Sequence, residues 1–255
     1  MKSPNKLLGL PFPFTFVLSL VLVYALIFGR ATLFVWNEKK EAAKDPALAI
    51  VPVPLPDTSI SNAQGTTVSF FGYQFEVPWQ VSIQKERESF AAFVISQSGQ
   101  QGISFINPAR TPGFVKMMKD DLGPQFGYLT LLYGGQTTRS DYDFVRAVLN
   151  SSPSQLSIVM PRSNEVRAAN LLLMKEAEIN GAETGLYSFE FGRLRGFQRG
   201  DPARSKGVNI EAFDAENHKF KFVFGNKAGP NAGLTQGDIN RVLQTLRPAI
   251  TTQEH

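Results

Sequence analysis

The chain contains no cysteine and only two histidines in 255 residues. Without thiols it cannot form thiolate zinc sites, iron–sulfur clusters, cysteine nucleophiles or a lipobox lipid anchor, and it is compatible with either side of a membrane. His218 reads as a solvated turn residue and His255 is terminal. Neither is read as having a second histidine or a carboxylate at ligand spacing, so a metal site is not expected. The same shortage removes the usual general base of a serine hydrolase, and no G-x-S-x-G elbow occurs. Phosphate-binding loops of the G-x-x-x-x-G-K-[ST] or G-x-G-x-x-G type are absent as well. The net charge is only +4 and the basic residues are spread along the chain, so no nucleic-acid partner is expected. No cofactor is expected either.

What the sequence has in excess is one apolar stretch, Pro11 to Trp36. The nineteen residues from Pro11 to Gly29 carry no charge. At about 1.5 Å per helical residue they reach about 28 Å, close to the roughly 30 Å hydrocarbon core of a bilayer. A transmembrane anchor helix is therefore expected over 11–36, after a short basic N-terminus over 1–10. Arg30 would snorkel to the headgroups and Trp36 would sit in the interfacial belt. The alternative is a secreted protein with a cleaved signal peptide, because Lys2 and Lys6 supply a basic n-region and Gly29-Arg30-Ala31 is a small-x-small site. The run exceeds the ~7 to 15 residues of a typical h-region, which favours the anchor.

Residues 37–65 read as a stalk and linker. Asn37 to Asp45 is mixed in charge and prolongs the anchor helix into water, and Pro46 ends it. Pro52, Pro54 and Pro56 then lie in a stretch without periodicity, which predicts a spacer that holds the following domain off the bilayer.

From residue 66 to residue 250 the pattern is that of one α+β domain, with 251–255 as a tail. Tyr73, Phe75, Val77 and Trp79 alternate with polar residues and predict a half-buried strand; Phe90 to Ser96 and Gly102 to Ile106 predict a hairpin. Phe114 to Leu122 predicts a short helix. Ser140 with Asp143 starts another, which ends near Asn150, and Ser154 to Met160 adds a turn or two. Asn164 to about Lys175 is a third helical candidate, although Leu171 to Met174 also fits a buried strand. Three alternating strands come next, around residues 187–191, 208–212 and 220–224, joined as an antiparallel meander. A final helix is capped by Thr235 with Asp238 and buries Ile239, Val242, Leu243 and Leu246. The predicted architecture is one antiparallel sheet whose apolar faces are covered by helices. The 21 phenylalanines are enough for a sizeable core without disulfides or metals.

Chemistry is harder to find. Glu76, Asp141, Asp201 and Asp214 are carboxylates that a membrane-tethered, hydrolase-type enzyme would have to pair across space; solvated surface roles are the simpler reading. The most unusual composition is Gly192 to Gly207, where Arg193, Arg195, Arg199, Arg204 and Lys206 surround Phe197. It reads either as a basic loop for an anionic ligand, a headgroup or an acidic partner surface, or as a ribbon with its arginines in water and Phe197 tucked in.

Four features together resemble a known family: F-E-V-P-W at Phe75 to Trp79, G-I-S-F at Gly102 to Phe105, a Phe-rich terminal hairpin, and a closing helix ending T-L-R-P at Thr245 to Pro248. Over about residues 66–250 the chain resembles the PsbP-like α/β/α sandwich domain. The resemblance implies a binding or assembly role rather than catalysis, and it transfers no site residue. The count of basic residues before and after the apolar run is nearly balanced. A run so near the N-terminus resembles a signal-anchor, and PsbP-like relatives usually lie outside the cytoplasm, so the domain is expected to be extracytoplasmic. The overall expectation is a single-pass membrane protein that uses the bilayer through residues 11–36 and displays a domain for a protein partner.

Overall fold

The computed structural model describes residues 12–57, 59–87, 89–157, 161–179, 185–226 and 233–249, with backbone alone at 12–20, 24–28 and 226. The first helix, α1 (Phe12–Ala42), carries the apolar run and the first charged residues beyond it as one element. Pro11, residues 1–10 and the tail 251–255 lie outside the described residues, as do most side chains of the expected anchor. Among the described residues no helix is long and apolar enough to cross a membrane.

Among the described residues eleven strands come after the helix: β1 (Val53–Pro54), β2 (Thr66–Phe70), β3 (Tyr73–Val77), β4 (Val81–Arg87), β5 (Ala91–Ser96), β6 (Gln101–Ile106), β7 (Leu186–Phe191), β8 (Leu194–Arg199), β9 (Gly207–Phe213), β10 (Lys219–Asn226) and β11 (Arg247–Pro248). Eight of them form one sheet in the order β1-β7-β8-β9-β10-β6-β5-β4, and β11-β3-β2 form a second, small one. The expectation of a single antiparallel sheet is therefore corrected twice. There are two sheets, and the larger is mixed, because β1 runs parallel to β7 with Val53 opposite Tyr187. Prolines lack an N–H and suit only a sheet edge; β1, drawn from the proline-rich segment, is such an edge.

Five α-helices among the described residues complete the body: α2 (Phe114–Leu122), α3 (Gly127–Tyr133), α4 (Asp141–Asn150), α5 (Ser163–Glu178) and α6 (Gln236–Thr245). The apolar run Leu171 to Met174 is thus helical. The stretch from Ser154 contributes only to a 3-10 turn over Pro153–Gln155, with residues 158–160 outside the described residues. The body is α+β, in layers. On one face of the large sheet lie the small sheet and α6, joined by a phenylalanine cluster in which the Phe75 ring meets Phe105 and Phe222 edge-on, each at 5.5 Å. On the other face α4 and α5 cover β7, β8 and β9 through Tyr142, Leu149, Ala169 and Leu172 against Phe197 and Phe213. The α6 capping box forms as its sequence signature requires: Asp238 N–H donates to Thr235 Oγ1 at 3.2 Å, and Thr235 N–H to Asp238 Oδ2 at 2.9 Å.

Besides the two-residue β1 and β11, two longer strands were not anticipated. The first, β4, is a polar edge strand. The second, β8, falls inside the segment read either as a basic loop or as a ribbon with its arginines in water and Phe197 tucked in; it is a strand and Phe197 is buried, but Gly196, Gln198 and Arg199 are buried as well. Burial there results from pairing on both sides, with β7 and β9.

Candidate functional site

The N-terminal arm is the first functional element, and the structure changes its role. Val35 is 0 % exposed and Ala42 is buried against α5, while Lys39 Nζ donates to the Leu156 carbonyl at 2.8 Å. The free face of the same turns keeps Leu33 and Trp36 exposed, with Lys40 Nζ 5.3 Å from the Trp36 ring; Arg30 is exposed as well. The proline-rich segment beyond α1 is no free spacer. Leu48 and Leu55 are buried, and Leu55 N–H donates to the Ser188 carbonyl at 2.9 Å. Asn240 Nδ2 binds the carbonyls of Asp57 and Ser59 at 3.0 and 2.7 Å, and the Arg241 guanidinium binds the carbonyls of Ser61 and Ala63. The reason is chemical: a proline-rich strand offers carbonyls, and the body presents side-chain donors to them.

A buried amine fastens this arm. Lys175 on α5 is 0 % exposed and donates to the carbonyls of Ile50 at 2.7 Å and Ser151 at 2.6 Å. Burial pushes its pKa down to about 8.

The five basic residues of 192–207 do not form one patch, because β8 runs between them. At the tip of the β7–β8 turn, Arg193 is exposed, and Gly192 supplies the positive φ of 57° that a two-residue hairpin turn needs. The Arg195 guanidinium lies 4.0 Å from the centroid of the Tyr142 ring. Arg199 is buried and joins Glu178 at 2.8 Å and Glu211 at 3.0 Å. Arg204 and Lys206 are exposed in the β8–β9 loop, about 20 Å of strand away from Arg193, and Arg204 sits 3.7 Å from Asp201. Glu211 also pairs with Lys219. Burial alone would push Glu211 up, but Lys219 and Arg199 hold it below the ordinary carboxylate range.

Arg193 instead joins a residue that sequence reasoning missed. Two adjoining cavities of about 420 Å³ each share Arg193, Leu194, Leu246 and Arg247. The second continues past Tyr73 and Phe220 to Asp214, Glu216 and His218 in the β9–β10 turn. The groove thus has an arginine side, a leucine and phenylalanine floor and an acidic side. Burial, with Asp214 and Glu216 nearby, pushes the Tyr73 phenol up. Arg247 could not be assigned from sequence because it meets Arg193 only where the end of α6 and the small sheet pack beside the β7–β8 turn.

Contrary to the sequence reading, His218 does have carboxylates at ligand spacing: Asp214, Glu216 and His218 offer ligand atoms within 4.8 Å of one another. The trio also closes the turn itself, since Asp214 accepts the His218 backbone N–H and faces Nδ1, both at 2.8 Å. The other carboxylates considered for acid/base work are engaged locally. Glu76 pairs with Arg241 at 2.9 Å, Asp201 accepts from Ala203 N–H at 2.8 Å, and Asp141 accepts from Val115 N–H at 2.6 Å at the start of α2. The groove's one aliphatic hydroxyl among the described residues, on Thr245, donates to the Arg241 carbonyl at 2.7 Å. This arrangement suits recognition of a ligand carrying both charges better than it suits nucleophilic chemistry. Compared with known proteins, the chain matches no family model, no curated protein and no solved structure.

Proposed function

We propose that this chain is a single-pass membrane protein whose α+β domain is a non-catalytic binding or assembly module held directly at the bilayer. The observation that carries the reading is the continuity of α1. The uncharged residues of α1 from Phe12 to Gly29 lead without interruption into turns that dock on α5 through Val35 and Ala42, so whatever holds the first half of the helix also orients the domain. A buried lysine clamping the arm adds support, since a free tether would need no such hold. We read the layered body as an α/β/α sandwich of the PsbP-like kind, with the small sheet sharing the α6 layer, and place it outside the cytoplasm. Its partner is a protein, engaged through the groove between Arg193, Arg247 and the β9–β10 turn; no nucleic acid is involved.

Two measurements test this. After alkaline carbonate washing of membranes from expressing cells, the intact chain beginning at Met1 should remain in the pellet. Release into the supernatant, or a mature N-terminus near Ala31, would reject the anchor. A C-terminal reporter that works only outside the cytoplasm should be active; activity of a cytoplasm-only reporter would reverse the orientation.

A further inference from the structure

Resting on the anchor reading above, we propose that α3 is a second, peripheral contact with the same bilayer, so that the domain lies against the lipid rather than standing away from it. The seven-residue helix turns Leu129 into the body but leaves Tyr128, Leu131 and Leu132 66, 68 and 50 % exposed. Three large apolar side chains together on one short helix are more than scattered surface exposure and mark a contact surface. The aromatic and leucine composition is that of a membrane interface, where tyrosine places its ring in the acyl boundary and its hydroxyl in the headgroups.

The occupant is set by what carries α3. Both α1 and α3 pack on α5, each about 10 Å from its axis. On the α3 side, Arg167 Nε and Asn170 Nδ2 of α5 donate to the carbonyls of Leu131 and Leu132 at 3.4 and 3.3 Å. On the α1 side, Glu176 of α5 neighbours Glu38 and helps to push its carboxyl up, after burial. Leu173 lies one helical turn from Asn170 and one from Glu176, hence between the two helices, and it too is exposed. The free face of α1 stays apolar at Leu33 and Trp36, within the docked turns themselves. Apolar side chains are therefore exposed on α1, on α5 at Leu173 and on α3, with Glu38, Glu176, Arg167 and Asn170 between them, and the surface that would meet all three helices is the one that meets α1: lipid.

The absence of cysteine makes the test direct. Single variants Leu22→Cys, Leu131→Cys and Gln84→Cys of the full chain are spin-labelled and reconstituted into vesicles of phosphatidylcholine and phosphatidylglycerol. Collision rates with oxygen and with a water-soluble nickel chelate are then compared. Leu22 reports the anchor and Gln84, on the polar edge strand, reports water. The oxygen-to-nickel ratio at position 131 should exceed that at position 84 severalfold and approach that at position 22. A ratio at 131 equal to that at 84, with 22 in lipid, would overturn the α3 contact alone. A label at 22 that behaves like the one at 84 would overturn the anchor and this contact with it. All three sites are exposed, so the substitutions leave the core intact.

Discussion

Replacing Lys175 with methionine should make the stability of this protein less dependent on alkaline pH. The amine is fully buried, and its two partners are backbone carbonyls, with no carboxylate among the described residues to offset the charge. Its pKa is lowered from 10.5 to about 8, and that gap corresponds to about 3 kcal/mol. Because the folded value lies below the unfolded one, the unfolded chain holds the proton more tightly between about pH 8 and 10.5, and the contribution of this group to stability rises with pH across that window. About 2 to 3 kcal/mol of the rise falls between pH 7 and 10. Methionine fills nearly the same space without a charge, but it leaves the carbonyls of Ile50 and Ser151 without a donor, at about 1 to 3 kcal/mol each. At pH 7 the two costs nearly offset and the variant should be close to the parent; at pH 10 the parent should lead by about 2 to 3 kcal/mol more than at pH 7. Urea unfolding of both full-length proteins in detergent micelles, followed by circular dichroism at several pH values, measures that difference. A lead that stays constant from pH 7 to 10 would refute the reasoning, because it would mean that the amine titrates alike in the folded and unfolded chains.

Glu211→Ala leaves buried Arg199 with only the more exposed Glu178 and takes the carboxylate from half-buried Lys219, which should cost about 3 kcal/mol, whereas Glu178→Ala, which removes the more exposed partner of the same arginine, should cost about 1 kcal/mol or less; equal shifts in the urea midpoint would contradict the network. Because Glu211 is held below the ordinary carboxylate range, its contribution is complete above that range and should disappear only as pH falls below it, visible as an acid unfolding limb absent from Glu211→Gln. Gly196→Ala places a Cβ 2.2 Å from the Glu211 carbonyl oxygen and should abolish the cooperative thermal transition; a folded variant would show that β8 and β9 can separate. Thr235→Ala removes the α6 cap and should lower stability by about 1 kcal/mol in the same urea assay.

How far the fold could be read in advance depended on which residues formed each element. The α6 stripe and the Thr235 cap were legible because both signals are local: a 3.6-residue apolar period and a side chain that reaches a backbone N–H three residues on. The Phe220, Phe222 and Phe224 alternation was legible for the same reason. β8 was legible only as one of two readings, a ribbon with Phe197 tucked in, and the burial of its Arg, Gly and Gln was not, because those residues look solvated. Pairing with β7 and β9 buries both Gln198 and Arg199, and partners far along the chain satisfy them: Glu211 and Glu178 meet Arg199, and Gln236 of α6 accepts from Gln198 at 2.7 Å. The basic cluster dispersed on folding for the same reason, since a strand between Arg193 and Arg204 separates what sequence places together. The groove was invisible in advance, as Arg193 and Arg247 stand 54 residues apart and meet only where the end of α6 and the small sheet pack beside the β7–β8 turn.

By itself the sequence determined what depends on neighbours a few residues away: an uncharged run long enough for a bilayer, the α+β alternation, the helix caps, and the exclusion of thiol chemistry. Tertiary structure decided what depends on partners far along the chain. Residues 46–65 look like a spacer because prolines and polar residues form no period. They are part of the body because Lys175, Asn240 and Arg241, more than a hundred positions later, donate to their carbonyls. Hydrogen-bond demand from a backbone without its own ladder leaves no trace in local sequence, so only the folded chain reveals that the N-terminal helix is docked rather than tethered.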